Sequence, residues 1–336
     1  MMESGMFAAV LICFIIYCCL SRLFRLYPHL LHADDIKRRK SKLDIFNNQV
    51  GLHHISHRGG AGENLENTMK AFDHAHQLGT DMFEIDIQMT KDGHAVVAHD
   101  NHLLRTCGKD IYISDTNLKD LPPLLCTQRL DFNHDFSITK EVCEADRKIL
   151  TLEELFSKYP RKPVNLDVKV DDGKLCELAA KLILKYERQH LTFWGNGSHK
   201  TMKTVRAVNA HIPTYYSATE VAKLVILYLT GLLPFLPLGA DLFEIPMYSL
   251  FLEHCKTFPQ RARSLKRQVL TRVLDFLLTN RTLIEYLKKR GVPTYFFVLN
   301  AEHEWKRAVE CGASGIMTDF PTKLKHWMKT NHIEAE

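Results

Sequence analysis

The stretch Met82-Phe-Glu-Ile-Asp-Ile-Gln-Met-Thr-Lys-Asp-Gly-His-Ala-Val-Val-Ala-His99 decides the fold. Polar and apolar residues alternate over 82–87, which predicts a strand that sends Glu84 and Asp86 to one face and its apolar residues to the other. The Asp-Gly turn that follows is too short for a parallel crossover, which needs a dozen residues or more. We therefore predict that 88–99 is an antiparallel hairpin rising from the end of this strand.

Outward from this stretch, short apolar runs rich in Val, Ile, Phe and Tyr alternate with helix-length segments. The predicted strands are 54–57, 82–87, 164–169, 191–194, 213–217, 242–246, 293–299 and 315–318. The predicted helices are 65–78, 151–159, 173–189, 198–209, 219–230, 265–290, 302–311 and 322–330. Eight strands and eight helices in alternation predict an α/β fold, a TIM (β/α)8 barrel over 54–330. An excursion as long as 100–150 on the catalytic face of such a barrel is expected to shape the site.

Composition narrows the function classes. The chain has 336 residues, of which 46% are hydrophobic and 25% charged, so wholesale disorder is excluded. A net charge of +5 does not demand nucleic acid, and the basic stretch 256–272 lacks interleaved stacking aromatics. None of the six cysteines beyond the N-terminal run forms a C-x-x-C pair, so no zinc or redox motif is indicated. No obligate protein partner is evident either.

The N-terminus contains an apolar run at 6–20 that reaches about 20 residues when its apolar flank is included. It predicts an uncleaved transmembrane anchor over 1–32; a cleaved signal peptide and a buried helix are the alternatives. The positive charges follow the run, so the positive-inside rule keeps the bulk of the chain in the cytosol. Residues 33–53 are polar and basic and are expected to be a linker, and 331–336 a tail.

A second apolar segment, 224–238, has no charged residue, but Gly231, Pro234 and Pro237 interrupt it. A full crossing there would place the last barrel strands on the other side of the bilayer. We expect a surface that dips into one leaflet, or else a buried helix. The basic stretch 256–272 behind it is either a solvated face or a contact with anionic lipid.

Chemistry-bearing residues cluster at predicted strand ends, where barrel enzymes place their active sites. His57 and Arg58 end the first strand, and the hairpin lifts His99 over the barrel mouth. On the third strand Asp167 and Lys169 point inward by alternation, either as a metal ligand with a phosphate-binding ammonium or as a buried ion pair. Two neighbouring carboxylates, such as those of the second strand, repel unless a cation joins them, and hard oxygen ligands suit Mg²⁺ or Ca²⁺.

Two histidines beside a divalent metal are suited to phosphodiester cleavage. One histidine accepts a proton and the other donates one, while the metal neutralises the charge on the phosphoryl oxygens. The motifs that carry this chemistry, in chain order, are His57-Arg-Gly59, Leu65-Glu-Asn-Thr68, Glu84-x-Asp86, Thr90-Lys-Asp-Gly93, Val96-Val-x-His-Asp100, Asp167-x-Lys169 and Thr318-Asp-Phe-Pro321. Together they resemble the glycerophosphodiester phosphodiesterase family, whose barrels are of the phospholipase C-like type. The anchor and the stretches 57–68 and 231–235 are similar to its membrane-anchored lysophospholipase D subgroup.

The resemblance implies a role for each matched residue. His57 and His99 are the expected acid–base pair, and Glu66 is expected to contact the metal or substrate network or, alternatively, to start a helix. The expected metal ligands are Glu84, Asp86 and Asp167, and the expected phosphate-binding residues are Arg58 and Lys169. The third ligand is more often Glu in the wider family, so the shorter Asp167 is a departure. Phe297 is another, since many members have Trp there.

The implied activity is metal-dependent hydrolysis of lysophospholipids to lysophosphatidic acid and the headgroup alcohol, with Mg²⁺ favoured over Ca²⁺. Lysophosphatidylcholine and lyso- or N-acyl-lysophosphatidylethanolamine are the expected substrates, the last releasing an N-acylethanolamine. The expected location is a membrane, that of the endoplasmic reticulum or perinuclear region, with the catalytic domain in the cytosol. The alternatives are a phosphodiesterase of water-soluble glycerophosphodiesters and a non-catalytic lipid-binding barrel.

Overall fold

The structure, a computed structural model, describes residues 2–43, 51–130, 136–248 and 265–333. The α-helices are α1 Met2–Leu26, α2 His29–Lys42, α3 Met69–Gln77, α4 Leu104–Cys107, α5 Leu152–Lys158, α6 Gly173–Lys185, α7 His199–Val208, α8 Ala218–Leu229, α9 Leu265–Leu278, α10 Arg281–Lys289, α11 Glu302–Cys311 and α12 Pro321–Thr330. The strands are β1 His53–Ser56, β2 Met82–Met89, β3 Ala95–Val97, β4 Thr127–Arg129, β5 Ser137–Thr139, β6 Val164–Val168, β7 Thr192–Gly195, β8 Phe243–Pro246, β9 Thr294–Phe297 and β10 Gly315–Thr318.

Seven parallel strands form one curved sheet in the order β7-β6-β2-β1-β10-β9-β8. The ring closes through the predicted fifth strand, since parallel bridges join Trp194 to Thr214 and Tyr215 to Leu242. Helices alternate with the parallel strands along the chain, apart from the β2–β3 hairpin and the β4–β5 pair, as β-α-β connections require. The predicted (β/α)8 barrel is therefore confirmed, as is the hairpin, because β3 pairs antiparallel with β2.

Capping residues set the helix boundaries, and some of these boundaries differ from those predicted from apolar periodicity. The helix expected at 65–78 begins only at Met69, because the Thr68 side chain accepts a hydrogen bond from the Ala71 backbone N–H and acts as the N-cap. The helix expected over 265–290 is two helices. Asn280 caps the second by accepting from the Leu283 N–H, so the chain restarts there.

The hydrophobic core has an outer and an inner part. Phe83, Ile85 and Leu166 pack outward with the helices that cover β2 and β6, as alternation predicted. A smaller inner cluster gathers near the amino ends of the strands, around residues such as Met82 and Phe193. Leu43 enters this inner cluster and is fully buried. Apolar packing thus fills the amino-terminal end of the barrel and leaves the carboxyl end for polar side chains.

The N-terminal helices pack against the barrel. The helical segment Met6–Lys42, which joins α1 and α2, is the one in the described residues that is long and apolar enough to cross a membrane, by length and composition. The first part of the expected linker is instead helical, because it belongs to α2, and this helix packs against the barrel. Its Arg39, 2% exposed, contacts Asp241 and Asp35 and donates to backbone carbonyls. A buried arginine needs such partners, and this requirement fixes the helix. Residues 44–50 of the expected linker lie outside the described residues.

The apolar segment 224–238 is no second span. Helix α8 ends at Leu229, about 18 Å long at 1.5 Å per residue, which is short of a bilayer core. Gly231 turns the chain with φ +77°, and a Cβ there would lie 2.9 Å from Ser21 Oγ and 3.0 Å from Tyr17 OH of α1. Glycine therefore permits both the turn and the close approach of α1.

Candidate active site

A cavity of about 320 Å³ opens at the carboxyl ends of the barrel strands. Seven of the eight residues singled out by the sequence line it, namely His57, Arg58, Glu84, Asp86, His99, Asp167 and Lys169. Strand register explains in part why these residues lie close together, because Asp86 of β2 lies opposite Asp167 of β6 in the parallel ladder. The eighth residue, Glu66, lies behind the cavity wall and reaches the site through its ion pairs.

The turn after β1 sets the positions of His57 and Arg58. Arg58 has φ +50° and Gly59 has φ +78°, and a Cβ on Gly59 would lie 2.9 Å from the Ala71 side chain. The chain therefore passes close to α3 and reverses sharply. This reversal brings the Arg58 backbone N–H to Glu84 Oε2, 2.9 Å away.

His57 is held by a buried carboxylate. Its Nδ1 lies 2.6 Å from Asp319 Oδ1, and its Nε2 lies 3.7 Å from Glu84 Oε2. Asn300 holds the same carboxylate, donating from Nδ2 to Asp319 Oδ2 at 2.8 Å and accepting the Asp319 backbone N–H at 2.9 Å. Burial raises the pKa of Asp319, but the charge of His57 and these hydrogen bonds outweigh it and lower that pKa overall.

His99 repeats this arrangement from the hairpin. Its Nδ1 lies 2.6 Å from Asp100 Oδ1, and its carbonyl accepts from Gln88 Nε2 at 2.8 Å. Arg105 Nε donates to Asp100 Oδ2 at 2.6 Å. Burial opposes the ionisation of Asp100, but the hydrogen bonds from His99 and Arg105 prevail and lower its pKa. Both histidines thus place Nδ1 on a carboxylate, which fixes the orientation of each ring.

The carboxylates of β2 and β6 are joined by an ammonium. Lys169 Nζ lies 2.8 Å from Asp86 Oδ1 and 2.7 Å from Asp167 Oδ2, so the ion-pair alternative describes its contacts. Burial alone would lower the pKa of Lys169, but the two aspartates raise it. At Glu84 burial and the neighbouring Asp86 raise the pKa, and nearby Arg58 offsets them only in part. The charge of Glu84 is thus only partly compensated by its neighbours.

Glu66 belongs to a buried charge network. Its Oε1 lies 3.3 Å from Arg58 Nη1. The Arg105 guanidinium donates hydrogen bonds to both of its carboxylate oxygens, at 2.7 and 2.8 Å. The helix-start role in this motif falls on Thr68 instead. Arg105 also holds Asp100, so one guanidinium connects the support of Glu66 to that of the hairpin histidine. Arg58 is 2% exposed, and its guanidinium faces Glu66 and Asp86 rather than open solvent.

Sequence reasoning missed several residues that complete the site. Glu244 of β8 lines the cavity and accepts a hydrogen bond from the Asn165 side chain. Burial, the largest cause, and the charge of Asp167 raise the pKa of Glu244 to about 8. Tyr215 OH donates to Asp167 Oδ1 at 3.2 Å. Alternation in the run 243–246 places Glu244 inward, and this was the available signal.

The donor chemistry of the cavity fits a divalent cation, although a compact metal centre is not preformed. In the part of the chain that the structure describes, no three acidic, histidine or cysteine side chains form a metal-binding group. Four carboxyl groups line the cavity, those of Glu84, Asp86, Asp167 and Glu244, against one guanidinium and one ammonium. Full ionisation would leave an excess of negative charge on oxygen ligands, which hard cations prefer. The ammonium of Lys169 lies between two of the expected ligands.

Comparison with known proteins gives concordant matches. Residues 57–323 match the model of the Glycerophosphoryl diester phosphodiesterase family. Lysophospholipase D GDPD1 of Rattus norvegicus is 41% identical over 310 residues, which cover 92% of each chain. Lysophospholipase D GDPD3 of Homo sapiens is 32% identical over 319 residues, 95% of this chain and 94% of that one. A solved Silicibacter pomeroyi putative glycerophosphoryl diester phosphodiesterase superposes with TM-score 0.63 at 16% identity, covering 88% of this chain and 99% of its own.

Proposed function

The chain belongs to the glycerophosphoryl diester phosphodiesterase family, and on that premise we propose that it is a membrane-anchored lysophospholipase D. A relative named lysophospholipase D is 41% identical over 310 residues, which cover 92% of both chains. The observation that carries the proposal in the structure is a single cavity in which two carboxylate-backed histidines face a cluster of acidic groups. Phosphodiester hydrolysis needs such a pair of proton-transfer groups around one phosphorus.

The proposed reaction uses the substrate's own hydroxyl. The free 2-hydroxyl of a 1-acyl lysophospholipid loses its proton to Nε2 of one histidine and attacks phosphorus. The bond from phosphorus to the headgroup oxygen breaks, and the other histidine protonates that oxygen. The resulting five-membered cyclic phosphate is then opened by water with the two histidines in exchanged roles, which yields lysophosphatidate. His57 and His99 are the proposed pair, each with its Nδ1 held by an aspartate.

The acidic cluster has a defined part in this proposal. The family is generally dependent on a divalent metal, and Glu84, Asp86 and Asp167 are the residues proposed to hold it. A bound divalent cation supplies charge neutralisation at phosphoryl oxygens. Oxygen-only ligands make Mg²⁺ our first choice and Ca²⁺ the second. Arg58 and Lys169 are proposed to carry positive charge beside the phosphate.

Lipid rather than a soluble diester is the proposed substrate because of the cavity's other wall. Away from the acidic groups, the cavity is lined by Val221, Ile245, Leu278 and Phe297. A glycerophosphodiester has no apolar part to meet such a wall. The candidate span α1 also favours a lipid substrate. We further propose a cytosolic catalytic domain on an endoplasmic reticulum or perinuclear membrane, and choline, ethanolamine or N-acylethanolamine as headgroups.

The test is turnover by the full-length chain reconstituted in vesicles. Lysophosphatidylcholine and glycerophosphocholine are assayed in parallel for choline release, each with EDTA and after addition of Mg²⁺. We expect turnover of lysophosphatidylcholine that EDTA removes and Mg²⁺ restores, and loss of it in His57→Ala and His99→Ala. Hydrolysis of glycerophosphocholine alone would favour the water-soluble alternative. A folded, Mg²⁺-supplied protein that turns over neither substrate would favour a lipid-binding role.

A further inference from the structure

Helix α9 carries an unpartnered apolar stripe on its exposed side. Val269, Leu270, Val273 and Phe276 are 51%, 56%, 47% and 70% exposed. Val269, Val273 and Phe276 follow one another at the i, i+4, i+7 spacing that lines one face of a helix. Large apolar side chains exposed in a row on one helix mark an interaction surface, unlike scattered single ones.

The same helix reaches the catalytic cavity at its other end. Leu278, the last residue of α9, is buried, lines the cavity and packs in one cluster with Val221 of α8. Helix α8 has the same two-sided character. Its Val221 faces the cavity, while Ile226 and Leu229 are about 60% exposed. The apolar cavity wall and the exposed apolar surface are thus parts of the same two helices.

The charge on α9 favours a lipid surface as the occupant. Lys266 and Arg272 are exposed on this helix. Asp275, the one acidic residue in its sequence, is buried and ion-paired with Arg307. An exposed face with apolar and basic side chains and no exposed acid is the pattern of helices that lie in the membrane interface. A protein partner is the other class of occupant and is separated in the test below.

The candidate span α1 packs against this side of the barrel. Ser21 of α1 donates to the Gly231 carbonyl at 2.8 Å, and Arg25 lies with its guanidinium 4.3 Å from the centre of the Tyr228 ring. These contacts fix α1 against the carboxyl end of α8. The exposed residues of α8 therefore lie beside the candidate span, and Leu278 of α9 belongs to the same buried cluster and lines the same cavity as Val221 of α8.

We propose that α9 is an interfacial membrane helix and that the substrate's acyl chain passes between α8 and α9, from the bilayer past Leu278 and Val221 into the cavity. The proposal rests on the proposed function, because it assigns the acyl chain of a lysophospholipid to this passage. It places the stripe Val269, Leu270, Val273 and Phe276 in the acyl region of one leaflet.

Tryptophan fluorescence tests the position of α9 independently of turnover. The three native tryptophans are buried, so Phe276→Trp adds one exposed indole. The full-length variant is reconstituted in phosphatidylcholine vesicles with and without brominated acyl chains. We expect blue-shifted emission that brominated lipid quenches. The matched control is Leu184→Trp, which replaces an apolar residue 45% exposed on α6, and its added emission should not be quenched.

Two results would overturn the proposal. One is Phe276→Trp emission that stays unquenched, as it would if a protein partner or solvent met the stripe. The other is equal quenching of the Leu184→Trp control, which would remove any specificity for α9. Wild-type turnover of lysophosphatidylcholine separates this proposal from the proposed function. Turnover without quenching contradicts only the membrane position of α9, whereas quenching without turnover leaves α9 in the membrane and contradicts the proposed activity together with the passage that depends on it.

The passage itself is tested by a turnover ratio. Val273→Ser with Phe276→Ser should lower the turnover of long-chain lysophosphatidylcholine in vesicles relative to the same variant's turnover of a short-chain, monomeric lysophosphatidylcholine. The wild type provides the reference ratio. An unchanged ratio would contradict an entry route along α9.

Discussion

Replacing Asp319 by asparagine is a sharp test of the proposed acid–base pair. The Asn300 amide is fixed because its oxygen accepts the Asp319 backbone N–H, which leaves Nδ2 to donate to Asp319 Oδ2. In Asp319→Asn the introduced amide oxygen must face that donor. Its NH2 then points at His57 Nδ1, so the ring must carry its proton on Nε2. A histidine in that tautomer cannot accept a proton from the substrate hydroxyl.

The magnitude follows from the bond that is lost. The contact between His57 and Asp319 is 2.6 Å long, and the carboxylate side chain is 2% exposed, so water does not replace it. A hydrogen bond to a charged group contributes about 1.5–3 kcal/mol. At about 1.4 kcal/mol per factor of ten, kcat/KM should fall roughly 10-fold to 150-fold. If His57 is the base, the wrong tautomer adds to this loss.

The assay is choline release from lysophosphatidylcholine, with unfolding followed in parallel to show that the variant is folded. Asp100→Asn is the matched control on His99, where Arg105 fixes the amide in the same way but the carboxylate is 22% exposed. We expect a smaller loss there, because water can enter. In the His57→Ala background Asp319→Asn should cost nothing further. A folded Asp319→Asn enzyme with near wild-type kcat/KM would refute the reasoning.

Three further predictions concern stability. Burial, and then nearby lysines, lower the pKa of His54 from 6.5 to about 3. The neutral ring therefore stabilises the folded state fully above pH 6.5, and this stabilisation is lost as the pH falls toward 3. Between pH 7 and pH 5 the free energy of unfolding, measured by urea titration, should fall by about 2 kcal/mol more in the wild type than in His54→Gln. An equal fall in the two proteins would contradict this prediction. Glu66→Gln leaves Arg58 and Arg105 without their shared carboxylate and should cost roughly 3 kcal/mol, whereas an unchanged melting temperature would show that the network compensates. Mg²⁺ at 100 times its Kd should add about 2.7 kcal/mol to the wild type but little to Asp167→Asn, and equal gains in both would exclude that ligand.

Most of the fold could be predicted because two periodicities encode it. Alternation in β2 set the inward face, and an Asp-Gly turn set the hairpin. Capping residues defined the helix limits, yet apolar periodicity hides them: Thr68 and Asn280 start helices inside stretches that read as continuous. The docking of α2 was not predictable from its composition, since a basic polar segment reads as linker. Only the folded structure shows that Asp241, distant in the sequence, forms an ion pair with Arg39.

The candidate site was predictable residue by residue but not in its connections. Strand position determines which way Asp86 and Asp167 point, and that information is local. Which charge neutralises which depends on the third dimension: Lys169 could serve a phosphate or its own neighbours, and in the structure its ammonium bridges the two aspartates. Burial, and then the charge of Asp86, raise the pKa of Glu84, and the positive charges of Arg58 and Lys169 offset them only in part. A cation bound by these carboxylates would have to compete with Lys169, and an ammonium displaced from them would be freed for the phosphate. We therefore propose that the two roles that the sequence left open for Lys169 correspond to two states of the site, one without a bound cation and one with it.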